Sequence, residues 1–145
     1  MIIADASGLV AAFGHDQRDH VRARAVIEAD PGPIVLSPYV LAEVDYLLTK
    51  RFGIRTELEF LDEVAAGAFE LAPFGRTELA RAVTLLQKYR DIPVGLADAS
   101  LVVLAERYDT TRLLTLDERH FRAIRPLHAD AFTLLPADSP LTGPG

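Results

Sequence analysis

Four acidic residues of this chain stand where their neighbours are apolar, and their positions suggest a shared site: Asp5, Glu43, Asp98 and Asp117. Asp5 directly follows the apolar run 2–4, and Asp117 follows the apolar run 113–116. Runs this short and apolar predict buried strands. If the two strands are neighbours, both carboxylates lie outside the carboxyl ends of the strands, where open α/β sheets bind ligands.

Glu43 belongs to a predicted helix that begins at Ser37-Pro38, a favourable N-cap and first helical residue. Val40, Val44 and Leu47 recur at i, i+4 and i+7 and predict the buried stripe of that helix. Glu43 lies beside this stripe. The carboxylate is therefore expected at the edge of a buried face.

Asp98 lies near the start of a later helix, with Leu101, Val102 and Ala105 at i+3, i+4 and i+7. This spacing places Asp98 at the head of an inward-facing row. A buried carboxylate is costly unless it is paired or binds a cation. Neither Asp98 nor Glu43 has an evident Lys or Arg one turn away on its own face. A hard divalent cation with oxygen ligands would satisfy all four acids.

Each acid also has a purely structural alternative. Asp5 could end its strand by bonding the next turn, and Glu43 could extend from its helix into water. Asp98 and Asp117 could each be the N-cap of the helix that follows. These alternatives leave unexplained why the acids coincide at strand ends and on inward helix faces.

Short apolar runs alternate along the chain with segments of helical pattern, which predicts one α/β domain with a mostly parallel sheet. The predicted strands are 2–4, 34–36, 69–72, 113–116 and 132–135. The predicted helices are 6–13, 15–29, 37–52, 56–66, 77–89, 96–108 and 117–124. On helix 77–89 the buried face is expected to contain Leu79, Ala82, Val83 and Leu86. We expect the domain to span 1–136 and residues 137–145, rich in Pro and Gly, to form a flexible tail.

Composition limits the function further. The 145 residues suit one domain, half of them are hydrophobic, and the lack of cysteine excludes disulfides and thiolate metal sites. The net charge of −6 argues against a broad basic surface for nucleic acid, unless some acids hold metal ions. The N-terminus has no basic start and Asp5 interrupts its apolar stretch, so we expect no signal peptide. No uncharged apolar run is long enough to span a bilayer, and we expect a cytoplasmic protein.

Four segments, in order, resemble the motifs of the PIN domain, and in particular of VapC-type toxins from type II toxin–antitoxin pairs. They are Ile2–Leu9 with its strand and Asp5, Ser37–Val44 with Glu43, Gly95–Ala99 with Asp98, and Leu114–Phe121 with Asp117. The resemblance covers residues 2 to about 136. It implies a three-layer α/β/α sandwich whose mostly parallel, roughly five-stranded central sheet gathers the four acids.

The same resemblance implies one or two Mg²⁺ or Mn²⁺ ions held by the four acids. By position, Ser7 would support Asp5 or a bound water, and Thr115 would line the site. One departure is Ala6, because relatives usually carry Thr or Ser directly after the first Asp. Contacts to RNA are expected from basic residues on the early helix and near the fourth acid: Arg18, Arg22, Arg24, Arg119, Arg122 and His120.

The implied function is a metal-dependent endoribonuclease that hydrolyses RNA phosphodiester bonds in transfer, ribosomal or messenger RNA and inhibits growth until a VapB-type antitoxin neutralises it. The protein would form a homodimer and meet DNA only through the antitoxin. Two alternatives stay within the family: a free-standing nuclease of RNA processing, and a catalytically silent binding protein.

Two other protein classes that begin with a strand and an Asp fit poorly. A phosphatase of the haloacid dehalogenase type needs a second Asp two residues later, where this chain has Ser7. A receiver domain needs a Lys after a strand, and neither Lys50 nor Lys88 follows a predicted strand end.

Overall fold

The computed structural model describes residues 1–15 and 18–140. Its strands are β1 (Ile2–Ala4), β2 (Ile34–Leu36), β3 (Glu70–Leu71), β4 (Arg112–Leu114) and β5 (Thr133–Leu135). Its helices are α1 (Ala6–Phe13), α2 (His20–Ala29), α3 (Pro38–Phe52), α4 (Ile54–Ala65), α5 (Arg76–Lys88), α6 (Leu96–Arg107) and α7 (Glu118–Ala123).

The strands form one parallel sheet in the order β3-β2-β1-β4-β5. Strands β1 and β2 are buried along their whole length, as a parallel sheet covered on both faces requires. The predicted α/β class with its roughly five-stranded parallel sheet is confirmed.

The chain changes direction across the sheet at β1. It runs from β1 to β2 and β3 on one side, then crosses back to β4 and β5 on the other. Right-handed crossovers in opposite directions place their helices on opposite faces, which produces the three-layer sandwich. The crevice between the carboxyl ends of β1 and β4 is therefore the point at which such folds bind ligands.

Helix α1 lies unusually close to the end of β4, and Gly8 makes this approach possible. A Cβ at Gly8 would lie 2.6 Å from both the backbone oxygen and Cγ of Leu114. No larger residue fits there without moving the helix or the strand. The contact brings the first turn of α1 against the residues that follow β4.

Helix α3 begins as its sequence predicts, because the Ser37 hydroxyl accepts a hydrogen bond from the Tyr39 amide at 3.2 Å and Pro38 is the first helical residue. Its buried row differs by one position from the prediction. Leu48 joins Val40 and Val44 in the core, whereas Leu47 is only half-buried. This row runs at i, i+4 and i+8, so the helix turns Leu47 toward the face that carries Glu43.

Two buried serines tie the start of α3 to the start of α6. The Ser37 and Ser100 hydroxyl oxygens are 2.7 Å apart, and both residues are completely buried. Ser100 donates to the Ala97 carbonyl oxygen at 2.6 Å, so Ser37 is left as the donor to Ser100. This bond holds the helix of Glu43 against the helix of Asp98.

Two helix predictions are corrected. Helix α2 begins at His20 rather than residue 15, with Asp19 at its N-cap, and residues 16–17 lie outside the described part. On α5, Leu79 and Val83 are 38% and 44% exposed. Ala82 and Leu85 form the buried stripe there, since α5 packs chiefly against α6 and buries only a narrow face.

Other boundaries shift by one or two residues. Helix α4 begins at residue 54 because Gly53, with φ of 92°, reverses the chain directly after α3. Strand β4 ends at Leu114, although the Thr115 amide still bonds the Leu135 oxygen at 2.9 Å. No helix among the described residues is long and apolar enough to cross a membrane.

The predicted tail is described only as far as Pro140, and residues 141–145 lie outside the described part. Asp138 is bound back to the fold. Its carboxylate accepts from the Leu134 amide at 2.7 Å and from Arg122 at 2.6 and 2.9 Å.

We predict that Ser100→Ala lowers the free energy of unfolding by about 1–3 kcal/mol, because the buried Ser37 hydroxyl loses its acceptor. Chemical denaturation measures the change. Thr84→Ala is the matched control, since the Thr84 hydroxyl also bonds a helix carbonyl but is exposed. Equal stability of both variants would contradict a structural role for the serine pair.

Candidate active site

A cleft of 360 Å³ opens at the carboxyl ends of β1 and β4. Its lining residues are Asp5, Ala6, Ser7, Val10, Glu43, Leu47, Arg51, Asp98, Leu116, Asp117 and His120. The structure thus brings together the four acids singled out from the sequence. They come from two strand ends and two helices, far apart in the chain.

Asp5 is the most deeply buried of the four, with 6% of its surface exposed. It is placed by the step from β1 into α1, and its amide bonds the Leu114 carbonyl oxygen of the neighbouring strand at 2.9 Å. Two hydroxyls donate to the same carboxylate oxygen, Oδ2: Ser7 at 2.9 Å and Thr115 at 2.8 Å.

The two hydroxyls are themselves oriented by the backbone after β4. Ser7 Oγ accepts from the Leu116 amide, and Thr115 Oγ1 accepts from the Asp117 amide, both at 2.9 Å. Each hydroxyl therefore uses its single proton on Asp5. Ser7 and Thr115 accordingly supply two hydroxyl contacts to Asp5, although Ala6 provides none.

Asp98 is half-buried in the first turn of α6. It is not the N-cap, because that position belongs to Gly95. Asp98 Oδ2 instead accepts a long hydrogen bond of 3.4 Å from the Gly95 amide. The carboxylate thus stabilises the helix start, where negative charge is favoured, while it faces the cleft.

Glu43 lies at the exposed rim of the cleft, on the face of α3 that also carries Leu47. Its carboxylate is nevertheless affected by the other acids. Partial burial is the main cause that raises the pKa of Glu43, and the charges of Asp5 and Asp98 raise it further. Glu43 therefore does not simply extend into water.

Asp117 is the N-cap of α7, so the structural alternative is correct for this residue. Its Oδ1 accepts from the His120 amide at 3.1 Å, and its Oδ2 contacts His120 Nδ1 at 2.6 Å. Capping does not remove Asp117 from the cleft, because both Asp117 and His120 line it. His120 is held beside the acids by this pair of bonds.

Burial is the main influence on the acids of the cleft, and the charges of neighbouring acids act in the same direction. Burial raises the pKa of Asp5, the Asp117 charge adds to the rise, and the Thr115 and Ser7 hydroxyls oppose it. Burial likewise raises the pKa of Asp98, followed by the charge of Asp5. The carboxylates thus compete for protons in the absence of a cation.

The donor set suits a hydrated divalent ion. Within residues 1–15 and 18–140, neither Lys nor Arg forms an ion pair with any of the four acids. In the same ranges no three Asp, Glu or His side chains are arranged to hold one ion together. Mg²⁺ keeps several waters and takes only one or two carboxylates directly, so it does not require three side chains around one ion.

The basic residues expected to contact RNA lie outside the cleft lining, His120 excepted. Arg22 pairs with Asp19 at 3.3 Å, and the Arg24 guanidinium lies 4.9 Å from the centre of the Phe13 ring. Arg122 binds Asp138 and Glu118 (2.6 and 3.1 Å), and these carboxylates raise its pKa.

Arg18 and Arg119 are exposed. With Arg22, Arg24 and Arg122 already engaged, these two are the expected RNA-binding arginines with the least competition from other contacts. Their role in RNA binding stays a prediction.

Arg51 is the cleft residue that the sequence reasoning missed. It lies in the last turn of α3, eight residues after Glu43, and lines the cleft with Glu43 and Leu47. The spacing i, i+4, i+8 is the sequence feature that could have identified Arg51, because these three residues share one face of a helix. The predicted stripe assigned Leu47 to the core and so concealed this row.

Comparison with known proteins agrees with the fold and the motifs. The PIN domain model matches residues 2–126. Ribonuclease VapC26 of Mycobacterium tuberculosis is 45% identical over 135 residues, which cover 93% of this chain and 100% of the relative.

Solved structures share the fold at lower identity. VapC20 of Mycobacterium tuberculosis, a toxin that cleaves the sarcin–ricin loop, has a TM-score of 0.76 at 18% identity, covering 82% of this chain and 92% of that one. A toxin–antitoxin complex from Klebsiella pneumoniae has a TM-score of 0.64 at 22% identity, covering 86% and 92%. At these identities the likeness concerns the fold alone. The motif prediction is nevertheless confirmed by the family model and the curated relative: the chain belongs to the PIN domain family and, within it, groups with the VapC ribonucleases.

Proposed function

We propose that this protein is a divalent-metal-dependent endoribonuclease and the toxin of a type II toxin–antitoxin pair. One observation carries the proposal: four carboxylates face a single cleft at the switch point of the sheet, and burial together with neighbouring acidic charges raises the pKa values of Asp5, Glu43 and Asp98. Such an arrangement is costly for stability and gains its use from a bound cation.

The relatives favour this function over its alternatives. The relative at 45% identity is named a ribonuclease, and the matched structures include a toxin and a toxin–antitoxin complex. Grouping with the VapC ribonucleases favours a toxin over a free-standing nuclease of RNA processing. The presence of all four acids favours an active enzyme over a silent binding protein.

Asp5 and Asp98 would hold a Mg²⁺ or Mn²⁺ ion, with Glu43 completing its shell directly or through water. Asp117 would hold a second ion or orient a water. A bound ion lowers the pKa of a coordinated water and polarises phosphate oxygens, which is the chemistry that phosphodiester hydrolysis needs.

The chain's own residues supply orientation. Ser7 and Thr115 hold Asp5 Oδ2 in one direction, as hydrogen-bonded neighbours commonly orient ligating carboxylates. Leu47, Val10 and Leu116 provide an apolar wall that limits water in the cleft. His120, held by Asp117, is placed to donate a hydrogen bond to a phosphate oxygen.

The expected substrates are transfer, ribosomal or messenger RNA, in the cytoplasm. The expected protein partner is a VapB-type antitoxin, through which alone the complex would meet DNA. An acidic cleft without a paired Lys or Arg is complementary to an arginine from such a partner. A homodimer remains part of the proposal.

We predict that Asp5→Asn lowers RNA cleavage by at least about 100-fold, because loss of a direct ligand costs no less than loss of a residue that orients one. The measurement is cleavage of total RNA in Mg²⁺, with new 5′ ends mapped by sequencing. Asp62→Asn is the matched control, since Asp62 is exposed on α4. Near-full activity of Asp5→Asn would exclude the proposed centre.

We predict that Thr115→Val weakens Mg²⁺ binding by about 10- to 100-fold, because Asp5 loses one of the two hydroxyls on its Oδ2 and the Asp117 amide loses its acceptor. Thr115→Ser keeps the hydroxyl and should stay near wild type. Calorimetric titration with Mg²⁺ or Mn²⁺ measures both. Equal affinity of the Val and Ser variants would show that the hydroxyl is not used.

We predict that Asp98→Asn makes the metal-free protein more stable at neutral pH. A carboxyl whose pKa is raised by folding contributes stability below its unfolded pKa, and this contribution is lost as the pH rises through the folded pKa. The amide removes that loss while it can still accept the bond from Gly95.

Mg²⁺ should stabilise the wild type more than it stabilises Asp98→Asn. The wild type gains about 2.7 kcal/mol when Mg²⁺ is at 100 times its Kd, whereas Asp98→Asn gains much less. Chemical denaturation at neutral and mildly acidic pH, with and without Mg²⁺, measures both the stability of the metal-free proteins and the gain on adding Mg²⁺. An equal gain in the two proteins would contradict a metal-binding role for Asp98.

A further inference from the structure

We propose that Arg51 is a substrate-positioning residue that binds an RNA phosphate adjacent to the phosphodiester held over the acidic cleft. This inference rests on the proposed ribonuclease function. The inference assigns a specific protein contact to the part of the RNA strand that lies beyond the four acids.

The position of Arg51 follows from the geometry of α3. Glu43, Leu47 and Arg51 form one row, with Arg51 about 12 Å along the helix axis from Glu43. Side chains on a helix lean toward its N-terminus, so the Arg51 side chain leans back toward Glu43. All three residues line the cleft. The row therefore places a cation in the cleft lining, on the same face of α3 as Glu43.

Arg51 is also free to bind a ligand. The described part of the chain offers it no carboxylate within 4.0 Å, whereas Arg55 pairs with Glu59 and Arg112 pairs with Asp30. Among the Lys and Arg residues of the described part, Arg51 alone lines this cleft. An unpaired guanidinium thus lines the same cleft as the four carboxylates without pairing with them.

The charge pattern selects a phosphate as the ligand. A metal ion in the cleft neutralises the phosphate that it holds, but the remaining carboxylates and the net charge of −6 repel the rest of the strand. A guanidinium at the rim offsets this repulsion, and its planar fork matches two phosphate oxygens. Such a contact contributes affinity and register without reading the base.

A second explanation for Arg51 is local. Cations in the last turn of a helix are favoured by the helix dipole, and Lys50 occupies the same turn. That role would affect only the stability of the protein. Binding of RNA phosphate would affect the dependence of RNA affinity on salt, so the two explanations can be separated.

The test measures RNA binding by the full chain carrying Asp117→Asn, which slows cleavage by removing the group proposed to hold a second ion or orient the water. This background keeps Asp5 and Asp98 as ligands of the main ion. The probe is a fluorescently labelled single-stranded RNA of mixed sequence, titrated by anisotropy over a series of salt concentrations in Mg²⁺. Adding Arg51→Gln should weaken binding about tenfold, since a charge-assisted hydrogen bond is lost. It should also reduce the slope of log affinity against log salt by about 0.7, the contribution of one phosphate contact on a single strand.

Two variants complete the design. Arg51→Lys should keep the slope, because the charge remains, but bind less tightly than the wild type because the fork is lost. Arg55→Gln is the matched control, since Arg55 is an exposed arginine of the next helix, outside the cleft lining, and should leave both affinity and slope unchanged. In the cleaving protein, Arg51→Gln should raise KM more than it lowers kcat.

An unchanged salt slope in Arg51→Gln would overturn the inference, whether or not the variant is less stable. The underlying function fails in a different way: the wild type would then cleave no RNA, or cleave it independently of Asp5. Cleavage that depends on Asp5, with an unchanged slope for Arg51→Gln, would refute the arginine contact alone.

Discussion

The structure depends on the burial of one carboxylate, that of Asp5, between the ends of two neighbouring strands. A buried carboxylate is tolerated only with strong compensation, and Asp5 receives hydroxyl bonds from Ser7 and Thr115 on a single oxygen. Those hydroxyls are in turn held by backbone amides after β4. The segment from β1 into α1 and the segment after β4 are thereby locked together, and Gly8 allows the close approach that this requires.

The other acids are arranged around Asp5 by packing. Strand order places Asp117 opposite Asp5, since β1 and β4 pair directly. The buried bond between Ser37 and Ser100 ties together the starts of the two helices that carry Glu43 and Asp98. The core beneath the cleft thus sets the separation of the acids. Among the described residues no three of these side chains are placed to hold one ion, so the arrangement suits an ion that retains part of its hydration shell.

The same arrangement opposes stability in the absence of a cation. Burial and like charges raise the pKa values of Asp5, Asp98 and Glu43, so ionisation of the cleft destabilises the fold. Functional sites commonly carry such a cost. A bound cation would relieve this cost, and Arg51 lines the same cleft without an ion pair to any of the acids.

Local sequence determined the class of the fold and the identity of the acids. Short apolar runs specify strands, and the Ser37-Pro38 pair specifies the start of α3. Acids next to apolar positions can be recognised in the sequence without knowing the order of the strands in the sheet.

Only tertiary structure decided the remainder. Three features join residues that are 63 or more positions apart in the chain. They are the pairing of β1 with β4, the bond from Thr115 to Asp5 and the contact between Ser37 and Ser100. The bond from Ser7 to the same oxygen of Asp5 depends on this arrangement, because the Leu116 amide after β4 orients the Ser7 hydroxyl. Helix phase read from hydrophobicity also assigned Leu47 to the core and overlooked Arg51. A difference of one residue in the buried row turns the helix by about 100°, and only the packing of α3 against its neighbours selects between the two.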